Sequence, residues 1–359
     1  MTALIRFIVV VIMLGACSPK QQENRVGYFT NLTGIISPYL DYIPRGEVTS
    51  EQAKELPHYK VQYFDDGTIQ QLAYYYGAAP SDDAYYGVHR VNMNYNNNQL
   101  VRTYFDKNGN KGSLWRHYYL GDNIHEEVFE LDGEGNKRSL VLLDSSGVQV
   151  ETGLGSYSFS FETLRGNSFI QRQFDREGIP NYLTSYFPFE ATLITKDSLN
   201  RLYSIENIDP DSGELVNHPH AGFAKVIFDF DQYGNEMGWR FYDASGNLAN
   251  RLAFENMDYG YSQWLYTFDW RDRSLGLFDA FTEKYYDSDS MPVDNSSGIH
   301  EVRYVRNKMG KTTHYSYYNK NGENVLHPQL GYAGMEIQYD DDGLRIGAHK
   351  MDMEGKRID

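Results

Sequence analysis

A thiol, a pair of imidazoles, clustered carboxylates and paired phenols are the groups in this sequence whose types and spacing suggest chemistry. Cys17 is the only cysteine in 359 residues, so no disulfide can form within the chain and no cysteine metal cluster can assemble. His218-Pro219-His220 puts two imidazoles at i and i+2, on one face if the segment is a strand. A metal there would need further ligands from elsewhere, and an exposed connector is the simpler reading. Asp209-Pro210-Asp211-Ser212-Gly213-Glu214 and Asp340-Asp341-Asp342-Gly343 hint at calcium. Neither completes the alternating ligands and later glutamate of a helical-hand calcium loop, and turn-forming aspartate explains both. No nucleophile elbow, phosphate-binding loop or dinucleotide fingerprint is present. A carboxylate pair for glycoside hydrolysis is a tertiary fact that sequence cannot nominate among so many turn aspartates. We therefore expect no catalytic residue, no cofactor and no metal. The 31 tyrosines include Tyr74-Tyr75-Tyr76, Tyr85-Tyr86, Tyr118-Tyr119, Tyr285-Tyr286 and Tyr317-Tyr318. Adjacent rings fall on opposite faces of a strand, so one can pack while its neighbour is exposed. Cross-strand aromatic ladders account for the pattern; any exposed ring would also suit a sugar face or a protein partner.

The N-terminus gives Cys17 its context. Arg6 precedes the unbroken apolar run Phe7 to Leu14, then the small residues Gly15 and Ala16. This is the layout of a secretory signal peptide, too short to span a bilayer comfortably. Leu14-Gly15-Ala16-Cys17 resembles the lipobox of bacterial lipoproteins. The resemblance implies cleavage before Cys17 and lipid on its thiol, and Ser18, rather than Asp, after the cysteine implies the outer membrane. The expected organisation is a signal peptide at 1–16, a lipidated, flexible tether at 17–27, an N-terminal capping segment at 28–58 and a repeat domain at 59–359. No other stretch is apolar and long enough to cross a membrane. The formal net charge of −16 argues against nucleic acid as a partner.

The elements that must position any site are legible as a repeat. An aromatic-Asp-x-x-Gly motif recurs, for example Phe105-Asp106 with Gly109, Phe174-Asp175 with Gly178, Phe230-Asp231 with Gly234 and Tyr242-Asp243 with Gly246. In Phe64-Asp65 the glycine, Gly67, comes one residue early. Turns pair at a twelve-residue spacing, as in Asp132 and Asp144, Asp231 and Asp243, or Asp340 and Asp352. A glycine often stands nine residues before the first anchor: Gly87, Gly222, Gly260, Gly298 and Gly331. Anchors at 65, 96, 132, 162, 197, 231, 269, 307 and 340 give about nine units with a period of about 34 residues. The unit at Glu162 is degenerate, and the unit at Asp269 carries an insertion before Asp287. Asp first and Gly fourth suit a turn that closes in the left-handed region. Between the turns, Met237, Trp239 and Phe241 alternate with Gly238, Arg240 and Tyr242, the period of a strand. Helical signals reduce to Thr49 to Leu56, where Thr49 and Gln52 can form a capping box. The expected fold is mainly β: tandem antiparallel hairpins in an elongated twisted array, with a β-propeller as the alternative. Residues 25–58 should cap one edge and the charged C-terminal residues Asp352 to Asp359 should keep the other polar.

Gly222 to Leu248 and Gly331 to Arg357 resemble the Tyr-Asp (RHS-like) repeats and the related WG-type hairpin repeats of bacterial envelope proteins. The resemblance implies a β-rich repeat array without fixing a function, and the chain is far shorter than the shells that encapsulate toxins. The expected function is that of an envelope-anchored, non-enzymatic lipoprotein offering a surface to a protein partner. The alternative is a polysaccharide or peptidoglycan binder that uses exposed tyrosines. Its lipid would hold it in the outer membrane, facing the periplasm or the surface.

Overall fold

The computed structural model describes residues 25–33, 36–83, 86–96, 98–114, 123–254, 257–341 and 343–358. Cys17, the preceding apolar run, Tyr85, Tyr118, Tyr119 and Asp342 lie outside them. The described residues form a single antiparallel sheet of 24 strands, open rather than closed. One turn of helix, Ser50–Ala53, is the only α element among them, capped as expected by the reciprocal Thr49–Gln52 box. No helix among the described residues is long and apolar enough to cross a membrane.

Nine hairpins carry the array among the described residues. They pair Pro57–Tyr63 with Ile69–Tyr76, Arg90–Asn96 with Gln99–Phe105, and Glu126–Leu131 with Lys137–Leu143. Ser158–Thr163 then pairs with Ser168–Phe174, Ala191–Lys196 with Leu202–Asn207, and Lys225–Phe230 with Glu236–Tyr242. The last three are Gln263–Asp272 with Leu277–Tyr286, Glu301–Arg306 with Thr312–Tyr318, and Gly334–Tyr339 with Arg345–Met351. Each hairpin also pairs with the next, so the sheet is continuous and the propeller alternative, which needs separate blades, is excluded.

The repeated turn works through its aspartate. Asp243 Oδ1 accepts the backbone N–H groups of Ser245 and Asn247, both at 2.9 Å, and Gly246 N–H closes onto Asp243 O at 3.0 Å. Gly246 sits at φ +86° with open space where a Cβ would stand, so the left-handed backbone, and not crowding, selects glycine. The glycines that precede the anchors are also left-handed, from +73° at Gly298 and Gly331 to +90° at Gly260; they close the connectors. Two anchors move. At the first hairpin Gly67 N–H bonds Phe64 O, so Phe64 and not Asp65 opens the turn. Asp269 is no turn residue: it pairs with Ala280 in mid-strand, and the insertion lengthens both strands to ten residues, with the turn at Asp272 to Gly276.

Alternation leaves one face of the array dry. Leu100 and Tyr104, Phe129, Leu140 and Leu142, Phe169, Ile194 and Ile205 are all buried. The chain's own N-terminal segment covers part of that face. Val26–Thr33 joins the sheet edge through Pro57–Tyr63, Ile43–Val48 pairs outside it, and the residues between them turn inward. Ser37 Oγ donates to Gln171 Oε1 at 2.5 Å, and Tyr39 stacks on Phe169 at 3.9 Å. Arg102, 1% exposed, reaches Glu127 (3.2 Å), Asp41 (3.1 Å) and the carbonyls of Pro38 and Leu40. Burial of the ammonium pulls Lys137 down to about 8, although it holds Asp41 at 2.7 Å. At the C-terminal edge the expected polar surface is interrupted: Leu344 is 62% and Ile346 64% exposed.

Candidate functional site

The longest hairpin, Gln263–Asp272 with Leu277–Tyr286, builds the site. Trp264, Tyr266, Phe268 and Trp270 occupy alternate positions of its first strand and face one side. At the usual strand rise this ladder is about 20 Å long. Neighbouring rings lie 5.9 Å (Trp264–Tyr266), 6.3 Å (Tyr266–Phe268) and 4.5 Å (Phe268–Trp270) apart. Trp239 abuts Trp264 at 4.9 Å and Tyr186 packs on both. Phe281, on the partner strand, stacks on Tyr304 at 4.3 Å. The four ladder rings are half-buried, lining a cavity of about 560 Å³.

The opposite wall comes from the far end of the chain. The hairpin tip is held against the N-terminal strand: Thr30 Oγ1 donates to Leu275 O at 2.5 Å, and Asn31 Nδ2 to Leu275 O at 2.9 Å. Arg45 Nη1 donates to Asn235 Oδ1 at 2.5 Å, while Asn235 Nδ2 holds Arg273 O at 3.0 Å. Gly276, at φ +65°, allows this approach, since a Cβ would stand 2.6 Å from Arg45 Nη1. Tyr59, Tyr74 and Tyr86 complete the wall, with Tyr59 OH and Tyr86 N–H both donating to the carboxylate of Asp83.

Besides Asp83, two glutamates line this cavity. Glu236 accepts Trp239 Nε1–H at 2.7 Å; Glu283 accepts Tyr304 OH at 3.4 Å. Burial pushes Glu236 up to about 7, against the pull of the Trp239 N–H and the Arg45 charge. Burial pushes Glu283 up to about 8; the Tyr304 hydroxyl and the Trp264 N–H, which closes no hydrogen bond of its own, oppose it. Neither carboxyl has an ion-pair partner among the described residues. Desolvation raises Tyr266 well above its ordinary range, and the charges of Glu236 and Glu283 add to the shift. Near neutral pH such carboxyls keep their protons for much of the time and offer both a donor and an acceptor to a bound hydroxyl.

The residues singled out from sequence are used otherwise. His218 Nδ1 accepts Ala221 N–H at 3.0 Å and its ring lies edge-on to His220 and Phe254, so it caps a connector. Asp209 Oδ1 takes the N–H groups of Asp211 and Ser212, and Gly213 N–H closes onto Asp209 O, a turn one residue longer than that at Asp243. No group of three or more histidine, cysteine or acidic side chains is placed to hold a metal among the described residues. Among the described residues the tyrosines form no continuous exposed stripe: Tyr74, Tyr86 and Tyr285 are buried, while Tyr95, Tyr186, Tyr203, Tyr233 and Tyr259 are exposed. The ladder was readable in the alternation of Trp264, Tyr266, Phe268 and Trp270, but the insertion at this unit masked it as a broken repeat. Glu236 and Glu283 carry no sequence signal.

No family model matches the chain, and no curated protein matches it. Among solved structures, that of TcdB2-TccC3 aligns at 14% identity over 85% of this chain and 15% of its own, with a TM-score of 0.23. A structure described as a 6-phosphogluconolactonase from Bacteroides fragilis NCTC 9343 aligns at 11% identity over 95% of this chain and 100% of its own, with a TM-score of 0.15. Superpositions this loose carry no argument about what the chain does.

Proposed function

We propose that this protein is a non-enzymatic, envelope-anchored lipoprotein whose array of Tyr-Asp (RHS-like) hairpin repeats binds a saccharide in the cleft between its longest hairpin and its N-terminal strands. The observation that carries the reading is the ladder Trp264, Tyr266, Phe268 and Trp270, half-buried along one wall of the cavity. Flat apolar ring faces beside carboxyl, amide and guanidinium groups match the alternating apolar faces and hydroxyl edges of sugar rings. Glu236, Asn31, Asn235 and Arg45 supply the polar edge. Binding of a glycan panel to the detergent-solubilised protein, with Trp264→Ala and Trp270→Ala beside it, tests the reading. We expect each variant to lose at least tenfold in affinity, and a wild type that binds no glycan would end it.

The anchor is proposed on the lipobox-like Leu14 to Cys17. Fatty-acid labelling that persists in Cys17→Ala would refute it. A protein partner is the second reading. It is favoured by the edge strand Arg345–Met351, whose outer side pairs only at Lys350 and Met351 among the described residues and which carries exposed Ile346 next to exposed Leu344. Such an edge can accept a further strand. Crosslinking from the envelope that never touches residues 344–353 would count against it.

A further inference from the structure

The chain carries a formal charge of −16, yet the cleft gathers cations at one end. Arg45 lies at the hairpin tip, where its Nη1 meets Gly276 and Asn235. The Arg306 guanidinium stands 4.5 Å from the centre of the Phe278 ring, two residues from that same glycine. Arg271 and the exposed Lys308 also line this end. Of the four, only Arg271 has an ion pair among the described residues, with Asp279. The Nε atoms of Arg45 and Arg306 are buried and have no hydrogen-bond partner.

The acidic groups nearby do not neutralise this end. Asp83 is the carboxylate whose charge acts on Arg306; it accepts from Tyr59 OH and Tyr86 N–H, and no ion pair joins it to the guanidinium among the described residues. Asp231 faces Arg45 but pairs with Arg273 at 2.9 Å. Glu236, the other acid near Arg45, is turned to Trp239. Glu283 lies five residues along the strand from Phe278, roughly 17 Å at the usual rise. The cavity is thus polar along its length: two guanidinium groups without an ion pair and Glu236 stand at the tip end, and Glu283 lies farther along the hairpin. Both side chains are half-buried, and withdrawal from water disfavours their charged form: burial lowers the pKa of Arg45 to about 10 and that of Arg306 below its usual value. An anion seated between the two guanidinium groups would favour that form.

Resting on the saccharide reading above, we infer that the ligand is an acidic saccharide, its anionic groups held by Arg306 and Arg45 at the tip end of the cleft with Lys308 at the mouth, and its rings on the Trp264 to Trp270 ladder. Neutral rings alone would leave both guanidinium groups without an ion pair, whereas a carboxylate or sulfate on the sugar can take paired N–H bonds from a planar fork.

The test is calorimetric titration of the full chain in detergent with hexasaccharides, neutral (glucose and galactose) and acidic (uronate and sulfated), at 50 and 300 mM salt. The acidic chains should bind at least tenfold more tightly than the neutral ones, and the margin should shrink at the higher salt. Arg306→Gln should abolish the margin. Because Arg306 also packs on Phe278, Lys308→Gln at the open mouth serves as the second variant and should reduce the margin about threefold without affecting folding. If neutral chains bind as tightly as acidic ones, the inference falls and the saccharide reading stands. If acidic binding is unchanged in both variants, the anion sits elsewhere and the inference falls. If no hexasaccharide binds, both readings fall.

Discussion

Replacing Glu283 by Gln should make the protein more stable at high pH and leave it nearly unchanged at low pH. Burial raises the carboxyl from 4.5 to about 8 in the folded chain, so between those values the folded state holds a proton that the unfolded state has released. Stability then falls with rising pH across that window. The sign follows from the raised pKa: the stability linked to this proton is fully present below pH 4.5 and is lost as pH rises through about 8. One pKa unit is worth about 1.4 kcal/mol, so the full shift corresponds to an upper bound of roughly 5 kcal/mol. Relaxation and water entry into the cavity reduce this to about 2–3 kcal/mol. Glutamine keeps an oxygen for the Tyr304 hydroxyl and cannot ionise, so it removes the penalty with little change in shape. Urea unfolding of wild type and variant at pH 5, 7 and 9 measures it. Other titrating groups, Glu236 and Lys137 among them, are common to both proteins and cancel in the difference. The two stabilities should agree within about 1 kcal/mol at pH 5 and diverge further in favour of glutamine by pH 9. Curves that stay parallel over the whole range would show that Glu283 is solvated and would refute the enclosed cleft.

Three other perturbations probe the frame. Arg102→Leu removes the guanidinium from fully buried Glu127 and should cost about 3–5 kcal/mol in urea unfolding, with Glu127→Leu restoring part of the loss in the double variant; an equal loss in the double variant would contradict the pairing. Gly276→Ala forces a Cβ to 2.6 Å from Arg45 Nη1 at φ +65°, so about 2 kcal/mol of local stability should be lost. Amide exchange should quicken in 26–33 and 43–48 and stay unchanged in 158–174; uniform protection would argue against the tip contact. Asp243→Ala strips two N–H groups of their acceptor and should cost about 1 kcal/mol. Asp269→Ala, in mid-strand and exposed, should stay within about 0.5 kcal/mol, and equal losses at both positions would restore Asp269 as a turn anchor.

Local rules carried much of the fold because each unit is nearly self-contained. A strand period, a turn aspartate and a left-handed glycine are all read within a dozen residues, as at Asp231 to Gly246, and nine such hairpins follow. The capping box at Thr49 was legible for the same reason. Reading failed where the repeat was broken by insertion. At Asp269 the fixed spacing suggested a turn, while the alternation of Trp264, Tyr266, Phe268 and Trp270 in the same residues announced a longer strand. Hydrogen bonding favours continuing a ladder whose side chains already alternate, and the turn forms at the next aspartate that has a usable glycine, Asp272 with Gly276.

The sequence by itself determined an antiparallel hairpin array, because turn chemistry and period-two alternation are short-range properties. Only the tertiary structure decided that this array keeps a cleft. Thr30 and Leu275 lie 245 residues apart in the chain and meet at 2.5 Å, a contact that arises from the summed twist of many strand pairs and leaves no local pattern. It is the same long-range closure that sets Arg45 at the tip of the aromatic hairpin and raises Glu236 and Glu283. A carboxylate acquires an unusual pKa from the walls around it, and those walls come from opposite ends of the chain.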